Sequence, residues 1–192
     1  GRHVAGLFKM VASTGFIGTA VCACINAETF HPVYGGLILA GLFFSWWGDL
    51  FLVSSNARIF LFGLAAFFLA HVAYAAAFIA LGVNPLWTAG AAVVLAVPAA
   101  LLLRWLRPHL GDMRNPVYAY VTIISAMTAL AAGAAMNGAP WSVPAGAALF
   151  YVSDIFVARN RFVRPGPLND LCGLPLYYAA QIALAFSIFA VQ

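Results

Sequence analysis

Seven runs of about twenty mostly apolar residues, separated by short polar breaks, constrain this chain more than any other feature of it. A helix needs about 20 such residues to cross a hydrocarbon layer ~30 Å thick. Inside that layer every backbone N–H and C=O must find a partner within the protein, so the runs have to be helices. The breaks fall at Glu28–Pro32, Ser54–Arg58, Gly82–Pro85, Arg104–Asn115, Asn137–Pro140 and Arg159–Asp170. They predict helices over 7–27, 33–53, 58–81, 86–106, 116–136, 141–159 and 171–191. Pro85, Pro116 and Pro140 sit at helix starts, where a missing N–H costs little. Pro98 lies inside the fourth helix and is expected to kink it. Only 7 % of the residues are charged and 65 % are hydrophobic, against about 25 % charged in soluble domains. A water-soluble globule and a disordered segment are both excluded. The fold class is an all-α polytopic membrane helix bundle, and residues 1–192 read as one integral-membrane domain.

Charge sets the orientation. Arg2 and Lys9 open the first helix, and Arg58 stands between the second and third. Arg104, Arg107 and Arg114 flank one loop; Arg159, Arg161 and Arg164 occupy another. With seven spans, all nine Lys and Arg fall on one side of the membrane. The positive-inside rule then predicts a cytoplasmic N-terminus, cytoplasmic basic loops and an external C-terminus; in a bacterium the membrane is the inner one. Nine basic residues are too few for a nucleic-acid footprint. Cys22, Cys24 and Cys172 form no CxxC pair and are expected to be buried, inert thiols. Of the four histidines, His3, His31 and His109 lie at or beyond the membrane ends, so three cannot converge on a zinc ion. No metal and no cofactor are expected. A Gly-x-Ser-x-Gly nucleophile elbow is also missing from the sequence.

Three charged residues sit well inside apolar helices: Lys9, Asp49 and Asp154. A carboxylate there costs about 2.5–3.5 kcal/mol on insertion scales, and by default it marks a function. The alternative is an interhelical salt bridge, for instance Lys9 with one aspartate. Asp49 precedes Ser54 by five residues and Asp154 precedes Arg159 by five. Both are therefore about 7–8 Å below the basic surface, and Lys9 lies at a similar level. Their surroundings match as well: Gly48-Asp49-Leu50-Phe51-Leu52-Val53 beside Ser153-Asp154-Ile155-Phe156-Val157-Ala158. The match suggests a parallel internal repeat that brings both aspartates to a central interface. Gly41, Ser45, Gly48 and Asp49 make a small, polar stripe suited to close packing. His71 and Tyr74 share one helix face, and Tyr177 and Tyr178 precede Gln181 by one turn. His71 lies thirteen residues past Arg58, roughly 20 Å deep, so no direct contact with the aspartates is expected.

At Phe8-Lys9, Gly48-Asp49, Gly63 with Phe67-Phe68-Leu69-Ala70-His71-Val72-Ala73-Tyr74, Gly146 through Asp154, Arg161-Phe162 and Tyr177-Tyr178-Ala179-Ala180-Gln181, the chain resembles the YhhN/TMEM86 family of integral membrane proteins. The family pattern has eight spans, which implies that a first helix is missing here and that the chain is part of something longer. Characterised members are lysoplasmalogenases. The resemblance implies an ether-bond hydrolase that cleaves the vinyl ether of a lysoplasmalogen into a fatty aldehyde and glycerophosphoethanolamine or glycerophosphocholine. It makes Asp49 and Asp154 the catalytic pair. Lys9, Ser45, His71, Tyr74, Ser153, Tyr177, Tyr178 and Gln181 become candidates for substrate binding. The partners implied are a lysophospholipid substrate and surrounding membrane lipid, with no nucleic acid.

The residue types suit that chemistry. A vinyl ether breaks when its β-carbon is protonated, and the resulting oxocarbenium-like cation is captured by water. A proton donor and a negative group are needed, and two carboxylates in different environments supply both. Glycosidases meet a related cation in the same way. The rival from another class is a proton-coupled transporter of small molecules or lipids, since buried aspartates and internal repeats recur there. A one-sided pocket at the aspartates favours the enzyme; paths to both faces favour transport.

Overall fold

The computed structural model describes residues 2–27, 31–54 and 56–191, with side chains from Gly6 onward. The side chains of Arg2 and His3, and the break around Glu28, lie outside the described residues. Seven α-helices are present among those described: α1 (Arg2–Asn26), α2 (Pro32–Leu52), α3 (Ala57–Ala80), α4 (Pro85–Leu106), α5 (Arg114–Ala135), α6 (Ser142–Ala158) and α7 (Pro167–Ala190). Six of them are long and apolar enough to cross a membrane. The other, α6, has 17 residues and is carried on by a five-residue π turn, Arg159–Val163.

The helix ends follow from local chemistry. Proline in the first turn opens α2, α4 and α7, at no hydrogen-bonding cost. Asn56 caps α3 by accepting from the Arg58 and Ile59 N–H groups at 2.8 and 3.4 Å. Asn84 caps α4 in the same manner through Leu86 and Trp87. Gly82, at φ 81°, ends α3 in a conformation that side chains resist. Helix α4 passes through Pro98 and stays one helix over Pro85–Leu106.

The stretch between α6 and α7 departs from the sequence reading. In place of a loop over 159–170, the chain forms the π turn and α7 begins at Pro167. Asn160 organises this segment. Its Oδ1 accepts from the Gly166 N–H at 3.0 Å and from Asn169 Nδ2 at 3.1 Å, and its Nδ2 donates to Asp170. Arg159 donates to Asn169 Oδ1 at 2.6 Å. Charged residues mark where hydrocarbon ends, whereas a helix continues for as long as its polar groups find partners.

Helices α2, α3, α5, α6 and α7 close a ring, each packing on the next, with α7 returning to α2. Helix α1 covers the seam between α2 and α7, and α4 leans on α5. Only Leu106 of α4 is buried; Val93, Val94, Val97 and Leu101 point outward, as lipid-facing residues do. The α2–α3 seam is tight because Tyr74 lies on Gly41 and Phe67 lies on Gly48, where any Cβ would collide with the ring. The small stripe read from the sequence thus seats two aromatic rings. The cysteines correct another expectation: Cys22 and Cys172 are exposed on the outer surface and Cys24 is half-buried. An apolar run is apolar on its lipid side too, so a position in such a run does not imply burial in protein.

Candidate active site

A cavity of about 190 Å³ opens among the basic ends of the helices, and all seven contribute to its wall. Its polar lining includes Lys9, Asp49, Tyr120, Ser153, Asp154 and Tyr177, and most of the remainder is apolar. Asn160, Asn169 and Asp170 stand at its end near the π turn.

Asp49 is almost fully buried, with 1 % of its side chain exposed. Its Oδ2 accepts from Ser13 Oγ and from the Tyr177 hydroxyl, both at 2.6 Å. Its Oδ1 faces Lys9 Nζ at 3.1 Å. Tyr178 donates to the Lys9 carbonyl at 3.1 Å and so ties α1 to α7. The salt bridge that the sequence offered as an alternative is therefore present, between Lys9 and Asp49.

Asp154 is held differently. Its Oδ2 accepts one hydrogen bond, from the Tyr120 hydroxyl at 2.6 Å. His71 Nε2 is 4.0 Å from the same oxygen, too far for a direct hydrogen bond. Among the described residues no hydrogen bond reaches its Oδ1, and the side chain is 17 % exposed. The proximity of His71 corrects the depth argument made from sequence. That argument took Arg159 as the end of the helix; the π turn runs to Val163, which leaves Asp154 roughly 12 Å from the end of the segment.

His71 is buried, and its Nδ1 lies 2.6 Å from the Phe67 carbonyl. A carbonyl only accepts, so Nδ1 carries the proton, and among the described residues Nε2 has no hydrogen-bond partner. The imidazole packs edge-on against Phe150 at 4.7 Å and Tyr120 at 5.2 Å. Phe150 in turn meets Tyr177 at 5.4 Å, and Phe67 meets Tyr177 at 5.9 Å. These rings link the surroundings of the two aspartates; Phe67, Tyr120 and Tyr177 line the cavity, with His71 and Phe150 behind them.

Of the ten residues singled out from sequence, Lys9, Asp49, Ser153, Asp154 and Tyr177 line the cavity, and His71 stands behind Asp154. The hydroxyl of Ser153 is committed to the Gly173 carbonyl at 3.0 Å. Tyr178 adjoins through Lys9. Ser45, Tyr74 and Gln181 are buried but absent from the lining. Tyr74 donates to Gln181 Oε1 at 2.7 Å, while among the described residues Ser45 Oγ and Gln181 Nε2 lack partners. Sequence reasoning missed Ser13 and Tyr120. A signal existed for each: Ser13 is one turn beyond Lys9 on the same face, and Tyr120 sits in the stripe Val117, Val121, Ile124 that α5 buries. Among the described residues no three His, Cys, Asp or Glu side chains converge as a metal site would require.

A model of the YhhN family matches residues 5–188. Lysoplasmalogenase TMEM86A of Bos taurus and its Homo sapiens counterpart are each 35 % identical to the chain over 157 residues. Those alignments cover 78 % of this chain and 64 % of each relative. A lysoplasmalogenase of Mycobacterium tuberculosis (strain CDC 1551 / Oshkosh) is 33 % identical over 138 residues, covering 68 % of this chain and 51 % of its own length. The chain thus spans less than two thirds of the length of these curated relatives. No solved structure matches it.

Proposed function

The chain belongs to the YhhN family of multi-pass membrane proteins, and on that premise we propose that it hydrolyses the vinyl ether of a lysoplasmalogen within the membrane. The observation that carries this reading is the unequal treatment of two carboxylates in one largely apolar cavity. Asp49 is fixed by Lys9, Ser13 and Tyr177, whereas Asp154 keeps one oxygen uncommitted.

The proposed sequence starts with Asp154 in its acid form. Its proton passes to the β-carbon, the C=C π electrons form the new C–H bond, and positive charge spreads over the α-carbon and the ether oxygen. The newly formed Asp154 carboxylate faces that cation. Water adds to the α-carbon and gives its proton back to Asp154, so the acid is regenerated. The hemiacetal then transfers its hydroxyl proton to the glycerol oxygen as the C–O bond breaks, releasing the aldehyde and the glycerophospho-alcohol. The Asp49–Lys9 pair supplies a fixed polar wall on the other side, oriented before the substrate arrives. Tyr177 holds it in place, and Ser153 and Tyr178 position α6 against α7 and α1 against α7. The mostly apolar cavity wall suits a single hydrocarbon chain.

What favours a hydrolase over a proton-coupled carrier is the one-sidedness of the cavity. Its lining runs from the basic ends of the helices to about their midpoints, at Phe67, Ile124, Tyr151 and Tyr177. Beyond that level the bundle is packed with Ile38, Leu42, Phe78, Met127 and Leu184, and Tyr34 is bonded to Ser187. By the positive-inside rule the basic ends face the cytoplasm, so the substrate would enter from that leaflet. The test is release of aldehyde by protein purified in detergent, presented with lysophospholipids that differ only in carrying a vinyl ether, an alkyl ether or an ester. Aldehyde from the vinyl ether alone is expected; equal turnover of the ester, or no turnover of any, overturns the reading.

A further inference from the structure

Tyr120 has no counterpart among the residues that the sequence pointed to, yet it makes the one hydrogen bond that Asp154 receives among the described residues. Its ring is nearly buried, lines the cavity and is held edge-on by His71, which the Phe67 carbonyl pins in turn. The bond goes to Oδ2 and leaves Oδ1 free. The two oxygens of Asp154 are therefore inequivalent before any substrate binds.

We propose that Tyr120 is a positioning residue of the hydrolysis, acting through Asp154: its hydroxyl anchors Oδ2, so that Oδ1 is the oxygen that gives and retakes the proton. The inference rests on the function proposed above. While Asp154 holds its proton, the Tyr120 bond joins two neutral groups. When the proton leaves Oδ1, the same bond becomes a phenol-to-carboxylate bond. Bonds to ionised acceptors are about twice as strong as neutral ones. The contact therefore strengthens as the proton moves and lowers the barrier without tightening substrate binding. Tyr177 makes a bond of equal length to Asp49, but Lys9 and Ser13 already share that carboxylate and the proposed reaction does not change its charge.

The experiment replaces Tyr120 in the full chain and follows kcat and KM separately for a vinyl-ether lysophospholipid. Tyr120→Phe should lower kcat by about tenfold, the difference between a neutral and a charge-assisted bond, with KM unchanged and the melting temperature lowered no further than the loss of one interhelical hydrogen bond lowers it. Fluorotyrosine incorporated at position 120 keeps the ring, packs in the same place and donates more strongly; it should raise kcat. It also serves should the phenylalanine variant fail to fold. Loss of kcat and rise of KM together, or a fluorotyrosine protein with unchanged kcat, would overturn the proposal by assigning Tyr120 to packing.

Two controls separate this outcome from failure of the parent reading. Asp154→Asn on the same preparation must lower turnover by about 10²-fold or more; if it does so while Tyr120→Phe is fully active, only the Tyr120 assignment falls, and if it does not, the parent reading falls. Independently of activity, the carboxyl infrared band lost in Asp154→Asn should shift in Tyr120→Phe. A band that stays in place overturns the proposal whatever the substrate.

Discussion

The two aspartates stand in nearly the same local sequence, Gly48-Asp49-Leu50-Phe51-Leu52 and Ser153-Asp154-Ile155-Phe156-Val157, on helices that each pack against the helix that follows. Their environments nevertheless differ in kind. Around Asp49, α1 and α7 supply a lysine, a serine and a tyrosine, and the carboxylate is saturated. Around Asp154, α5 supplies one tyrosine and α3 a histidine that does not reach. Local sequence put each carboxylate toward the basic end of its helix, and the partner helices decided what each can do. A saturated anion is suited to holding a site together, whereas an under-coordinated one can exchange a proton with a ligand. The comparison therefore predicts different consequences for the same substitution at the two positions.

The largest effect is expected at Asp154. Asp154→Asn keeps the shape and the Tyr120 bond but removes the proton that would be transferred. Vinyl-ether hydrolysis should fall by about 10²-fold or more, the usual scale for a general acid. The melting temperature in detergent should hold or rise, since no ion pair is broken. A variant that loses activity only in proportion to its folded fraction would erase the distinction between the two carboxylates.

Asp49→Asn should instead be felt first as instability. It strands Lys9 inside an apolar bundle, and removing one partner of a buried pair costs about 3–5 kcal/mol. Lys9 is 23 % exposed, so its ammonium can reach outward and the cost should lie at the lower end. Lys9→Met alone should cost a similar amount by stranding Asp49. Combining Asp49→Asn with Lys9→Met should recover part of the loss, because neither change then leaves a bare charge. Strictly additive losses in that cycle would show that the pair is not coupled. Activity measured on the folded fraction of the double variant then separates an electrostatic role of the pair in catalysis from its structural one.

Much of this architecture was legible in the chain because length and hydropathy leave few alternatives. An apolar run of twenty residues has to be a helix in a bilayer, and Asn, Gly and Pro punctuate the ends where caps and turns need them. Asp49, Asp154 and Lys9 were legible as charges in places where charges are expensive. Their partners were not. The sequence could place Ser13 only on the face of Lys9 and Tyr120 only in a buried stripe, and it is the pairing of α1 with α2 and of α5 with α6 that gives them their roles. Which helices neighbour one another is set by side-chain fit, such as Tyr74 on Gly41, and single-chain periodicity does not record it. The depth of Asp154 relative to His71 was misjudged for a related reason: the Asn160 network extends α6 past its first arginine, so counting from that arginine starts at the wrong level.

The smallest predicted effects test how the residue before each aspartate was chosen. Gly48 lies beneath Phe67, with ring atoms from 2.5 Å of where a Cβ would stand. Gly48→Ala must displace a ring that also packs on Tyr177 and Phe150, and overpacking of this kind costs about 1–3 kcal/mol. Ser153 occupies the matching place on α6, where the small residue is on the opposite helix: Gly173 faces it, and its carbonyl accepts a hydrogen bond from the Ser153 hydroxyl at 3.0 Å. Ser153→Ala leaves the backbone fit intact and removes one interhelical hydrogen bond, worth on average about 0.6 kcal/mol inside a membrane bundle. The two substitutions therefore differ by about twofold to fivefold in their effect on stability in detergent, although a repeat read from sequence alone treats the positions as equivalent. Should Ser153→Ala prove the more damaging, the hydroxyl of Ser153 does more than tie α6 to α7, and its place on the cavity wall makes substrate contact the next role to measure through KM.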